Sequence, residues 1–184
     1  MPMWAWIVIA VAVVLAVGAA VWMAFRHRRS RKLRDRFGPE YDRAVDERGG
    51  RWKAESELAG RQRRREELEI RTLDPAARER YMNEWQATQS RFVDDPAEAV
   101  TQADRLVTQV MRDRGYPMED FEQRSVDISV DHAHVVDDYR AAHAISMANE
   151  HGRAGTEDLR QAMVHYRRLF EDLLEPRQED RAAG

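Results

Sequence analysis

The chain has 184 residues, with 30 basic and 33 acidic side chains, a formal net charge of −3, six histidines and no cysteine. Without cysteine there is no disulfide framework, no thiolate zinc or iron–sulfur site and no cysteine nucleophile. No glycine-rich phosphate loop, HExxH, GxSxG or SxxK motif occurs, which removes the best-marked nucleotide, metalloprotease and acyl-transfer classes.

The run Trp4 to Phe25 comes first. It is 22 residues long, carries no ionisable side chain, and has Gly18 as its only non-apolar member. As a helix it would be about 33 Å long against a hydrocarbon core of about 30 Å, which predicts one transmembrane helix over 4–25. Trp4 and Trp6 stand at one end and Trp22 and Phe25 at the other, at the depth where aromatic rings favour headgroups. A cleaved signal peptide fits less well: Met1-Pro2-Met3 supplies no basic region, and the apolar run continues past Ala19-Ala20 into arginines. Ala12, Ala16, Ala20 and Ala24 make a small-residue stripe along this segment, a candidate packing face for a second copy.

Arg26, Arg28, Arg29, Arg31, Lys32, Arg34 and Arg36 follow, opposed only by Asp35. The positive-inside rule then sets the N-terminus outside and everything after the helix in the cytoplasm of a bacterial inner (plasma) membrane. Arg26, Arg28, Arg29, Arg31 and Lys32 are the residues expected to lie against anionic headgroups, so membrane lipid is one expected partner.

Beyond the membrane the chain reads as helices. Residues 26–72 form a basic juxtamembrane segment and a charged helical linker, broken at Gly38-Pro39 and at Gly49-Gly50. Within it, 51–70 is densely charged and predicts a solvated helix laced with i,i+4 pairs. A helical bundle is expected over 73–175. Asp74-Pro75 and Asp95-Pro96 are start signals, N-cap then proline. The stripes Ala77, Tyr81, Trp85, Thr88, Phe92 and Val100, Ala103, Leu106, Val107, Val110, Met111 face inward. Gly115 ends the second of these helices, Tyr116-Pro117 turns the chain, and Glu119 to Arg124 adds a helical turn. Val126-Asp127-Ile128-Ser129-Val130 is the one short stretch alternating with period two. A helix from His132 to His151 turns Val135, Val136, Tyr139, Ala142, His143 and Met147 inward, with Gly152 as its stop. Thr156 caps the last helix, whose apolar side is Leu159, Ala162, Met163, Tyr166, Leu169, Phe170 and Leu173. Pro176 ends it, and 176–184 reads as a disordered tail. The fold class is therefore all-α: one transmembrane helix, a charged juxtamembrane helix and a small cytoplasmic bundle.

Several stretches resemble a family of single-pass bacterial membrane proteins of actinobacterial type. They are Arg36-Phe37-Gly38-Pro39-Glu40-Tyr41-Asp42-Arg43, Arg91-Phe92-Val93-Asp94-Asp95-Pro96, Arg114-Gly115-Tyr116-Pro117, and Val135-Val136 with Tyr139-Arg140 and His143. The family pattern has Asp-His-Pro where this chain has Asp131-His132-Ala133. The resemblance implies an anchor and a helical architecture; it brings no catalytic residue. Arginine outnumbers lysine 28 to 2, a usage that matches a GC-rich bacterial genome.

Asp127, Asp131, His132, His134, Asp137, Asp138 and His143 form the densest polar cluster. On a helix Asp131 and His134 share a face, as do His134 and Asp138. Imidazole with carboxylate suits a divalent transition metal, so the metal candidates are His132, His134, Asp138 and His143, with His165 as a ligand from another helix. The plainer reading has Asp131 capping its helix, His132 and His134 in the exposed first turn, and His143 packed in the core. Tyr116, Tyr139, Arg140 and His143 are candidates for a pocket lining, with Asp120 or Glu122 as ion-pair partners of Arg140. No nucleophile or oxyanion site accompanies them, so the reading leans away from an enzyme without closing the question, and no cofactor is expected. Past residue 36 the charge sums to −9, which opposes nucleic-acid binding. The expected function is a membrane-anchored interaction or scaffolding module with a protein partner or second copy. The alternative is a ligand- or metal-binding domain using 127–143.

Overall fold

The computed structural model describes the backbone of residues 3–175 and every side chain within it except those of 3–14, 16, 19, 26 and 29. Among the described residues all regular structure is helical: α1 (Met3–Phe37), α2 (Pro39–Arg48), α3 (Arg51–Glu67), α4 (Pro75–Arg91), α5 (Pro96–Asp113), α6 (Phe121–Ile128), α7 (Val136–Glu150) and α8 (Thr156–Leu174). None of the helices, among the described residues, is long and apolar enough to cross a membrane. Most side chains of the 4–25 run lie outside the description. So does the 176–184 tail with Pro176.

The chain divides into two compact units at Leu58/Ala59, inside α3. The first unit is built from α1, α2 and the start of α3. Gly38, at φ +46, ends α1, and its N–H still donates to Arg34 O at 2.8 Å. Pro39, which has no N–H to satisfy, takes the first position of α2. Gly49, at φ +65, closes α2 in the left-handed conformation that glycine adopts without steric cost. Leu33 and Phe37 of α1, Tyr41 and Ala44 of α2, and Ala54 and Leu58 of α3 are all buried. Their three- and four-residue spacings put each pair on one helix face.

In the second unit α5 packs against α4, α7 and α8, and α8 packs against α5 and α7, with α6 laid on α7. Asp74 and Asp95 cap α4 and α5, accepting from Ala77 N at 2.9 Å and Glu98 N at 3.1 Å. The inward stripes of α5 and α8 are buried as their periodicity predicts. Trp85 of α4 stacks on Phe170 of α8, centroids 4.7 Å apart and planes at 17°. Each such large side chain contributes roughly 1.5–3 kcal/mol by leaving water.

Local readings fail in four places. The alternating stretch 126–130 is the end of α6 and the turn after it, with Asp127, Ile128, Ser129 and Val130 all buried. Alternation cannot orient a segment that is covered on all sides. Helix α7 starts at Val136, four residues later than expected, and Asp131 is not its cap. Met147 is exposed, and Ser146 is buried in its place. Gly155, not Thr156, precedes α8, with its N–H donating to Asp158 Oδ2 at 2.9 Å.

Candidate functional site

The polar residues of 127–143 are distributed by the chain between α6 and α7. His132 N donates to Ile128 O at 2.8 Å, which folds the chain tightly after α6 and carries the imidazole inward. His132 is buried, and its Nδ1 meets Asp172 of α8. His134 is exposed, with Nε2 3.1 Å from the other oxygen of Asp172. One carboxylate thus holds two histidines of the turn. Burial opposes ionisation of Asp172, but the His132 and His134 donors outweigh it and hold the carboxyl below its ordinary range.

His143 and His165 go elsewhere. His143 of α7 lies flat on Phe121, centroids 3.7 Å apart, with Nδ1 3.6 Å from Asp104 Oδ1 of α5. Tyr166 of α8 donates its hydroxyl to the same Oδ1 at 2.6 Å. Burial opposes ionisation of Asp104 too, but the nearby His143 ring and the Tyr166 donor outweigh it and keep it below the ordinary carboxylate range. Burial, with the Asp104 charge beside it, pushes the Tyr166 phenol well up. His165 of α8 has Nδ1 2.5 Å from Asp138 of α7, and Arg168 NH1 reaches the same oxygen at 3.0 Å.

The five proposed metal ligands therefore fall on separate acceptors: His132 and His134 on Asp172, His143 on Asp104, and His165 on Asp138 itself. Among the described residues no three His, Asp or Glu side chains are grouped to hold a metal ion. Asp104 and Asp172 stand outside the 127–143 cluster. They lie 39 and 40 residues from their histidines, and no local spacing marks such a pair.

The pocket expected from Tyr116, Tyr139, Arg140 and His143 is likewise divided. Tyr116 OH donates to Asp131 Oδ2 at 3.2 Å. Tyr139 is buried, packed at 4.9 Å against the Phe121 ring, and its hydroxyl accepts from Arg124 Nε at 3.4 Å. Burial raises the Tyr139 phenol, and the Arg124 charge works against that rise. Arg140 NH1 pairs with Asp137 at 3.0 Å, and Asp120 caps α6 through Gln123 N.

The larger correction concerns α3. Arg61, Arg64 and Arg65 are not a solvated face, though Arg51 and Arg63 are exposed. Arg64 donates to Asp127 Oδ1 and to Glu119 Oε1, each at 2.9 Å. Arg65 pairs with Asp131, and Arg61, itself buried, donates to Ser129 Oγ at 3.3 Å. Positions 61, 64 and 65 share a helix face, and together they clasp the 127–131 segment.

Of the basic residues after the apolar run, Arg28, Arg31 and Lys32 are exposed, while the side chains of Arg26 and Arg29 lie outside the description. Ala20 and Ala24 are exposed, and the side chains of Ala12 and Ala16 are again outside it. No protein-family model, no curated protein and no solved structure matches the chain. Three short stretches stand at helix junctions: Gly38-Pro39 between α1 and α2, Asp95-Pro96 at the start of α5, and Arg114-Gly115 at its end.

Proposed function

We propose that the protein is a single-pass membrane-anchored helical module that presents its bundle to a protein partner at the cytoplasmic face of a bacterial inner membrane. One observation carries this reading. Leu15, Val17, Val21, Trp22, Met23 and Phe25 of α1 are between 51% and 73% exposed. Contiguous apolar surface of this kind is seldom left in water; it marks a membrane or a partner. The preceding run of uncharged residues and the arginine collar that follows support lipid as the medium and the cytoplasm as the side. Exposed Trp52 and Val93, at 71% and 84%, are candidate points of partner contact beyond the anchor. The histidine–carboxylate pairs tie α8 to α7 and to the turn before it, and α7 to α5, which favours an interaction module over a metal site.

The test is extraction and topology. The full chain should stay with membranes through alkaline carbonate washing and leave with detergent. A C-terminal alkaline-phosphatase fusion should be inactive, and a C-terminal cytoplasmic reporter active. A chain washed free by carbonate, or a C-terminal phosphatase active in the periplasm, would overturn the reading. Detergent pull-down with mass spectrometry then identifies the partner.

A further inference from the structure

The first unit contains a cleft of about 400 Å³ lined by Met23, His27 and Ser30 of α1 and by Arg51 and Glu55 of α3. This is within the range of small-ligand sites, about 300–1,000 Å³. Met23, His27 and Ser30 recur at i, i+4 and i+7, and Arg51 and Glu55 at i and i+4, so each set shares one helix face. Glu55 is fixed in place. Its Oε1 accepts Ser30 Oγ at 2.6 Å and Tyr41 OH at 2.9 Å. Two neutral donors on one oxygen leave the negative charge uncompensated by them and the other oxygen with acceptor capacity. His27 and Arg51 are exposed at the same cleft, and Met23 belongs to the last turn of the apolar run.

We infer that this cleft holds the headgroup of an amine-bearing phospholipid of the phosphatidylethanolamine class. The inference rests on the membrane-anchored reading. A zwitterionic headgroup offers a phosphate for Arg51 and His27 and a primary ammonium for Glu55, both charge-assisted. A choline headgroup has no N–H to give Glu55. It is recognised by aromatic faces, and the five lining residues include no Phe, Tyr or Trp. A purely anionic headgroup can give its phosphate to Arg51 and His27 but brings no ammonium for the Glu55 carboxylate. Met23 continues the cleft toward the apolar segment, where the acyl chains of such a lipid run.

The test uses the full-length chain in detergent micelles with equal amounts of phosphatidylethanolamine, phosphatidylcholine and phosphatidylglycerol, the retained lipid being counted by mass spectrometry. Flotation with phosphatidylcholine vesicles runs in parallel. Phosphatidylethanolamine should be retained about tenfold over phosphatidylcholine, the worth of one charge-assisted hydrogen bond. Glu55→Gln keeps an acceptor for Ser30 and Tyr41 and should bring the two lipids to parity. Arg51→Gln should lower retention of both, because both carry the phosphate. Soluble phosphoethanolamine at the same concentration should not compete; competition as strong as that of the lipid would make the free compound the ligand and overturn the lipid assignment. Flotation with equal retention of the two lipids overturns the headgroup inference and leaves the anchor standing. Failure to float removes both. Should Glu55→Gln not fold, unchanged retention in folded Arg51→Gln overturns the inference by itself.

Discussion

Gly115 shows what a single residue decides. Its φ is +92°, and a Cβ there would sit 2.6 Å from the backbone oxygen of Glu69. The neighbouring groups tie the same two segments together: Arg71 N donates to Arg114 O at 2.9 Å, and Arg71 Nε to Asp113 O at 3.0 Å. The guanidinium of Arg114, buried, gives NH1 to Leu173 O at 2.7 Å. Backbone cannot yield as a side-chain tip can. Gly115→Ala should therefore cost about 2–4 kcal/mol, read as a fall in the denaturation midpoint of the second unit. The Gly-Tyr-Pro pattern located this turn in the sequence, but the close approach of Glu69 is invisible there. Asp172 gives a second residue-scale prediction. Its carboxyl is lowered in the folded state, so its stabilising contribution is whole above about pH 4 and fades as acid carries the medium through the lowered value. Asp172→Asn should unfold at lower denaturant near pH 6, and should lose less than the parent as the pH falls below about 4. An identical acid profile would show that the His132 and His134 contacts are energetically idle.

At the scale of elements, helix termini were the most legible feature and polar faces the least. Asp74-Pro75, Asp95-Pro96 and Gly38-Pro39 each stand where a helix starts or breaks. Those signals are local backbone chemistry: a side-chain acceptor for an unpaired N–H, a proline with no N–H to satisfy, a glycine free to take positive φ. The solvated-face expectation fails at Arg64 because its partners lie more than 50 residues away. A run of charges looks the same from inside the chain whether water or a carboxylate faces it. Asp127 tells the difference, with its side chain only 2% exposed and Arg64 on one oxygen. Arg64→Ala leaves that carboxylate buried without its cation. The expected cost is about 1–3 kcal/mol, and amide exchange over 59–67 should speed up as the clasp opens. No change in either would return α3 to a solvated helix. Asp127 and Ser129 also explain the alternation at 126–130: Gln123 Nε2 donates to Asp127 at 2.9 Å, and Ser129 Oγ donates to Val126 O at 2.7 Å. Polar side chains satisfied inside a helix end and turn copy the pattern of a half-exposed strand.

At the scale of the molecule, the stability of the second unit rests on α5 and α8, whose apolar stripes meet each other and the helices beside them. Trp85 is the largest side chain joining α4 to α8. Trp85→Ala should cost about 3–5 kcal/mol, from lost transfer energy and the cavity left behind, and should be read by chemical denaturation of the full chain. A cost under 1 kcal/mol would mean that α4 is peripheral to the unit.

The amino-acid sequence by itself determined the all-helical class, most helix boundaries and the inward stripes of α4, α5 and α8, because propensity, capping and periodicity act within a few residues. It also placed the uncharged run and its arginine collar, on which the proposed anchor depends. Only the tertiary structure decided which carboxylate His132, His134, His143 and His165 meet, that α3 is clasped through Arg64 and Arg65, and that Glu69 leaves room for nothing but glycine at 115. These are contacts between residues 27 to 66 positions apart. Charge and hydrogen bonding act through space over a few ångströms, and only the packing of the apolar faces brings such distant partners within that reach.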